Sequence, residues 1–160
     1  MIDWKKLIAS LVVCQLAGLF GSIFNISSIP TWYAGLVKPS FNPPNWVFAP
    51  VWTTLFVLMG VSLYLVWVKK AGSKKQVRAK KAAYAMFWAQ FVLNILWSFF
   101  FFYLRCPLCG LVEIIFLWIA IVSMIILFHK ISRTAAYLQI PYLLWVSFAA
   151  VLNFMLFYLN

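Results

Sequence analysis

Long apolar stretches, each broken by a short polar or proline-bearing segment, set the pattern of this 160-residue chain. Runs near 7–26, 46–68, 83–104, 108–128 and 135–158 each approach or exceed the roughly 20 residues that carry a helix across hydrocarbon. None shows the alternating pattern of a membrane β-barrel strand. The pattern predicts an all-α fold, an integral membrane bundle of five transmembrane helices forming one domain over 1–160. With 66% hydrophobic residues and a mean hydropathy of +0.99, the composition excludes a soluble domain.

Proline and small residues punctuate the runs. Pro39, Pro43 and Pro44 keep the first loop extended or tightly turned, because proline fixes φ and lacks a backbone donor. Asn45 is the expected N-cap of the second helix. Pro107 is expected to open the fourth span. Pro141, inside the fifth, is expected to kink it and to pack against protein, where the freed carbonyl can find a partner. Gly18 with Ser22, and Ala85 with Ala89, are small-xxx-small pairs that allow close helix approach.

The net charge of +11 would suit nucleic acid if it were spread over a surface, but it is segregated. Lys69, Lys70, Lys74, Lys75, Arg78, Lys80 and Lys81 read as a basic loop between spans two and three. Lys5 and Lys6 precede span one, and Lys130 and Arg133 join spans four and five. Alternating spans put these eleven of the thirteen basic residues on one face, leaving Lys38 and Arg105 on the other. The positive-inside rule then makes the N-terminus cytoplasmic in a bacterial-type inner membrane. The basic segment reads as a topology signal in contact with anionic membrane lipid, with no nucleic-acid partner. Lys5-Lys6 before an apolar run also mimics a secretory signal, but no small-x-small cleavage site follows, and the run is read as a retained helix.

Little acid–base chemistry is available. The two acids are Asp3, at the terminus, and Glu113, inside span four; they lie toward opposite faces, which excludes a two-carboxylate hydrolase. An intramembrane carboxylate is either a functional group with a partner or a neutral packing residue, and both readings stay open for Glu113. His129, at the end of span four, suits an interfacial helix cap better than an axial haem ligand. Cys106-Pro-Leu-Cys109 has no second cluster with which to build a zinc site, so no metal is expected. A redox pair at a helix N-terminus is conceivable, although the βαβ context of thioredoxin-type motifs is missing. Cys14 reads as packing. No nucleotide motif appears, which argues against an energised pump.

The aromatic residues carry more. Trp4, Trp32, Trp46 and Trp67 suit an interfacial belt. Trp52 and Phe56 are four apart and share a face; Gln90, Asn94 and Trp97 share another; Trp145, Ala149 and Leu152, with Asn153 adjacent, make a third stripe. Amides cannot face lipid without partners, so these faces turn inward. Together they describe either an enclosed apolar pocket for a flat ligand or plain aromatic packing.

The text Trp32-Tyr33-x-x-Leu36-x-Lys38-Pro39-x-x-x-Pro43-Pro44, then Ala49-Pro50-Val51-Trp52, Met59-Gly60 and Val66-Trp67, resembles the TSPO/MBR family of translocator and tryptophan-rich sensory proteins. Gln90-x-x-x-Asn94-x-x-Trp97, Pro141-Tyr142-Leu143-x-Trp145 and Phe148-Ala149-x-Val151-Leu152-Asn153 extend the resemblance over nearly the whole chain. It implies a five-helix bundle, often a homodimer, whose pocket opens toward the first loop and takes porphyrins such as protoporphyrin IX, haem-related tetrapyrroles and other flat apolar molecules. The porphyrin is a ligand, and no cofactor is required. The positions it transfers to the site are Ser22, Asn25, Ala49, Trp52, Phe56, Asn94, Trp97, Trp145, Ala149 and Leu152. It also implies a part for Trp52 and Trp145 in light-dependent porphyrin breakdown. The chain departs from the family in three places. Phe154-Met155, with no basic residue after Arg133, breaks the animal sterol motif; Cys109 replaces a bulkier residue; Phe41 replaces a tryptophan. Three functions follow as expectations: a receptor or transporter-like binder of tetrapyrroles, a porphyrin-degrading enzyme, and a scaffold acting through protein partners.

Overall fold

The computed structural model describes residues 2–160. Five segments are long and apolar enough to cross a membrane: Trp4–Asn25 (α1), Asn45–Val68 (α2), Lys74–Tyr103, Pro107–His129 (α4) and Arg133–Leu159. The third is an α-helix, α3 (Lys74–Ser98), extended by one π-helical turn, Phe99–Tyr103. The fifth divides into a short helix, α5 (Arg133–Tyr137), and α6 (Ile140–Leu159). No strand occurs among the described residues, and the fold is all-α.

Burial along α1 identifies the solvent. Ile8, Val12, Leu16, Leu19 and Ile23 form an exposed stripe, whereas the buried face carries Ser10, Cys14, Ala17 and Gly21. Large apolar groups outside and small or polar ones inside invert the order of a water-soluble helix. This is the arrangement expected where hydrocarbon surrounds the bundle and helices associate by close approach. The chain is therefore an integral membrane protein.

Helix contacts are of two kinds. Backbones pack closely between α1 and α2, α3 and α4, α4 and α6, and α1 and α3. A Cβ built on Gly60 would lie 2.9 Å from the Leu11 Cα, so α1 runs directly against α2 at that point. Gly110 plays the same part on α4, where a Cβ would meet Asn153 Oδ1 at 3.0 Å and Phe101 at 3.1 Å. By contrast, α6 reaches α2 and α3 mainly through long side chains. The Tyr142 hydroxyl donates to Gln90 Oε1 (3.0 Å) and accepts from Asn94 Nδ2 (2.9 Å), which fastens α6 to α3 in the centre of the bundle.

Three local readings of the sequence are corrected. Asn45 is not the cap but the first residue of α2; Pro44, held extended at φ −56° and ψ 143°, precedes it without a side-chain cap bond. The basic segment is mostly helix. Ser73 Oγ accepts from the Gln76 N–H, α3 starts at Lys74, and only Lys69 and Lys70 remain in the loop. Lysine, alanine, arginine and glutamine are good helix formers, which carries α3 well past its apolar stretch. Pro141 is exposed and stands in the first turn of α6 instead of inside a continuous span. At that position the missing N–H removes no intrahelical bond, so no buried partner is needed. Trp32, half-buried in the first loop, packs edge-to-face on Phe101, with centroids 5.6 Å apart. Pro107 does open α4, and Cys106 caps it with its sulfur toward the Cys109 N–H. Cys106 and Cys109 are joined by a disulfide.

Gly60→Ala should force the α1 backbone away from α2 and destabilise the protein by about 1–3 kcal/mol, the usual range for overpacking. Gly35→Ala, where a Cβ meets nothing within 4 Å, should leave stability unchanged. Thermal unfolding of the two variants in detergent compares them directly.

Candidate ligand-binding site

Because the backbones of α2, α3 and α6 stand apart, the side chains between them enclose a cavity of about 80 Å³. Its wall contains Phe48 and Trp52 from α2, Trp97 from α3, and Trp145, Ala149, Leu152 and Asn153 from α6. The π-helical turn completes the wall with Phe101 and Phe102. An extra residue in that turn alters the register at the end of α3, a device often found beside functional sites. Here Phe101 stacks on Trp97, with centroids 5.1 Å apart and planes 15° apart. Phe102 meets Trp97 edge-on at 5.8 Å.

The residues singled out from sequence separate into four groups. Trp52, Trp97, Trp145, Ala149 and Leu152 meet in this cavity. Phe56 and Asn94 do not. With Trp52 and Trp97 they line a smaller space of about 70 Å³ against Ala17, Gly18 and Gly21 of α1. One N–H of the Asn94 amide is committed to the Tyr142 hydroxyl. Ser22 and Ala49 lie in an outward groove between α1 and α2, joined there by Trp52 and Phe56. The Ser22 hydroxyl bonds within its own helix to Leu19 O at 2.7 Å. Asn25, at the end of α1, has a buried Oδ1 with no hydrogen-bond partner and lines none of these spaces. Trp52 separates the compartments, stacked on Phe56 at 5.5 Å and edge-on to Tyr142 at 6.2 Å.

Asn45, Asn153 and Tyr33 are the polar residues of the main cavity wall, and Asn153 bonds to two neighbouring helices. Its Oδ1 accepts from Trp97 Nε1 (3.1 Å), and its Nδ2 donates to the carbonyl of Pro107 (2.7 Å). The amide therefore orients one indole of the wall and satisfies a carbonyl in the first turn of α4 at once. Glu113 is buried in α4, with neither carboxylate oxygen hydrogen-bonded and neither in the cavity wall. His129 is exposed at the last turn of α4, beside Tyr137. Among the described residues, no three His, Cys, Asp or Glu side chains gather as a metal-ligand set.

The first loop roofs the cavity. Ile29 and Tyr33 contribute to its lining, and Phe41 leans edge-on over Phe148 of α6 at 6.2 Å. Four bonds fasten the roof. Ser28 Oγ donates to the carbonyl of Phe102 at 2.8 Å. The Tyr33 hydroxyl donates to Asn42 Oδ1 at 2.9 Å. At the far edge, the Val37 N–H donates to Asn160 Oδ1 (2.9 Å), and Asn160 Nδ2 returns a bond to the Val37 carbonyl (3.0 Å). Burial raises the Tyr33 phenol above its ordinary pKa, with the bond to Asn42 opposing, so it stays a donor at neutral pH. Lys38 lies over the same ring, 4.7 Å from its centroid.

Sequence reasoning missed Tyr33, Phe48, Phe101 and Phe102 as wall residues. Tyr33 and Phe48 flank the Pro/Trp motif and were within reach of a reading that followed the loop back over the bundle. Phe101 and Phe102 sit in a run of four phenylalanines, where no helical period picks one face from another.

Comparison with known proteins bears on the whole chain. The sequence profile of the TspO/MBR family matches residues 10–159. A tryptophan-rich protein TspO from Archaeoglobus fulgidus is 44% identical over 155 residues, 97% of each chain. A translocator protein from Homo sapiens is 34% identical over 151 residues, covering 94% of this chain and 88% of that protein. A tryptophan-rich sensory protein from Cereibacter sphaeroides is 30% identical over 159 residues, 99% of this chain and 94% of that one. Five spans, a proline- and tryptophan-bearing roof and a match along nearly the full length lead to one assignment: the chain belongs to the TspO/MBR family.

Proposed function

We propose that the protein is a membrane receptor or transporter-like binder of flat, largely apolar molecules, tetrapyrroles such as protoporphyrin IX foremost. The observation that carries this reading is the meeting of Trp52, Trp97 and Trp145 in one roofed, mostly apolar cavity whose wall carries two amides, Asn45 and Asn153. Indole faces suit a conjugated macrocycle, and a few polar groups suit orientation more than chemistry. At about 80 Å³ the cavity is well below the roughly 300–1,000 Å³ of ordinary ligand pockets. Binding on this reading therefore requires the first loop to lift and the aromatic wall to part. The ligand region takes in Trp52, Trp97, Trp145, Ala149 and Leu152 at the cavity, with Phe56, Asn94, Ser22, Asn25 and Ala49 on its α1 side. A second reading, light-dependent oxidative porphyrin breakdown, draws on the same wall, because Trp52 and Trp145 both border the space.

One set of variants tests both readings. Trp52→Phe and Trp145→Phe should each weaken protoporphyrin IX binding several-fold, about 1 kcal/mol per stacked aromatic contact, in tryptophan-quenching titrations. Trp4→Phe, exposed at the start of α1, should not. Equal sensitivity at Trp4 would remove the cavity from consideration. Product absorbance under illumination separates the readings: loss of photoproduct at unchanged affinity supports the enzyme, and unchanged porphyrin supports the binder.

We also propose a bacterial-type inner-membrane orientation with the N-terminus cytoplasmic. The basic residues at Lys5, Lys6, Lys69–Lys81, Lys130 and Arg133 support it through the positive-inside rule. A reporter fused between Lys70 and Ser73 should be cytoplasmic and one in the 33–45 loop external; the opposite labelling rejects the orientation. A homodimer through α3 is the third proposal. Ala85 is exposed and Ala89 half-buried, leaving a small-residue face open to a second copy. Leucine at both positions should shift the detergent-solubilised protein toward monomer in light-scattering measurements, and an unaltered dimer would move the interface elsewhere.

A further inference from the structure

At the end of the bundle away from the tryptophan cavity, a cleft of about 200 Å³ opens between three elements. Lys69 and Lys70 come from the loop after α2, Gln76 and Lys80 from the first turns of α3, and Lys130 from the turn between α4 and α5. We propose that this cleft is a binding site for a phosphate-bearing anion, of the kind carried by an anionic phospholipid headgroup.

Charge is the first argument. The chain has two carboxylates, and neither serves the cleft. Asp3 is paired with Lys6 at 2.9 Å, and Glu113 is buried within α4. Four lysines thus line one space whose lining holds no carboxylate, an arrangement of like charge that an anion would relieve.

Directed donors are the second argument. Lys80 Nζ donates to the carbonyls of Trp67 (2.8 Å) and Lys69 (2.7 Å) at the end of α2. An ammonium has three donors, so one remains, on a group whose position is held by the other two. Gln76 Oε1 accepts from the Gly72 N–H at 2.8 Å, which commits the oxygen and leaves the amide N–H₂ as the free end. The cleft therefore offers oriented N–H donors from more than one element, which suits the several acceptor oxygens of a phosphate.

Size and setting are the third. A water molecule takes about 30 Å³ of liquid volume, so the cleft accommodates a phosphate with its ester linkage or several of its waters. Ala79 and Ile131 supply apolar lining, and Trp67 is exposed on the last turn of α2 nearby. An acyl chain leaving the cleft along this end of the bundle would meet apolar surface.

The test uses the full chain in detergent micelles, titrated with phosphatidylglycerol and phosphatidylcholine by native mass spectrometry. Phosphatidylglycerol should bind saturably with one preferred stoichiometry, and phosphatidylcholine more weakly. Lys70→Gln with Lys130→Gln should reduce phosphatidylglycerol affinity about thirty-fold, taking roughly 1 kcal/mol for each lysine. Lys5→Gln with Lys75→Gln removes the same charge outside the cleft and should change affinity no more than about two-fold if contact, not the general field, dominates. Thermal unfolding checks that both pairs fold; Lys130→Gln alone, with about a five-fold loss expected, serves if the double variant does not. Displacement by millimolar inorganic phosphate would make the free ion the ligand, and resistance to it would make the phospholipid the ligand. Equal losses in the two pairs, or no preference for phosphatidylglycerol, would overturn the site.

Discussion

A side-chain amide in hydrocarbon costs several kcal/mol unless another group takes its hydrogen bonds. That constraint arranges the interior of this bundle. Gln90, Asn94 and Asn153 can lie only where the protein itself supplies partners, and they find them on neighbouring helices. Tyr142 takes the first two, while Trp97 and the Pro107 carbonyl take the third. The inward faces of α3 and α6 follow from these bonds. So does the separation between the helices, since side chains as long as tyrosine, glutamine and tryptophan hold the backbones apart. The cavity is the space this separation leaves. Close packing and open space thus have distinct chemical origins in the same protein: glycine and alanine at α1–α2, amide and aromatic groups around α6.

How much of this was legible in the sequence depends on the range of the interaction that fixes each element. The five spans are written in local composition, and they appear within a few residues of their expected limits except at the start of α3. There the apolar run begins near 83, whereas the helix begins at Lys74. Hydropathy reports where hydrocarbon begins, while helix propensity and the Ser73 cap report where the helix begins. A cationic helix projecting beyond the membrane separates the two. Pro141 shows the converse: a proline within an apolar run was read as a kink, yet the chain breaks at Leu138–Gln139 and restarts, so that the proline falls at a helix start.

The site was legible in part for the same reason. Trp52, Trp97, Trp145, Ala149 and Leu152 lie on helical stripes marked by polar neighbours, and the structure brings them together. What periodicity could not supply was the π-helical turn, because it changes the period itself. Phe101 and Phe102 enter the wall through that change, and a run of identical side chains leaves no trace of it in the sequence. Asn94 was placed on the correct face but in the adjoining compartment, its amide taken by a tyrosine forty-eight positions away. Long-range hydrogen bonds of this kind are invisible to any reading that moves along one helix at a time.

The clasp between the roof and the end of α6 is asymmetric. Asn160 reaches the main-chain N–H and C=O of position 37, groups that every residue except proline presents. Position 37 can therefore drift through many side chains without loosening the roof. Position 160 cannot, because it needs one side chain that both accepts and donates at a fixed reach. The short amide of asparagine meets that need; an aspartate would meet the carbonyl with a second acceptor, and a serine would fall short. Two residues that share a pair of bonds are thus constrained very unequally, with nearly all the selective burden on the terminal turn of the last helix.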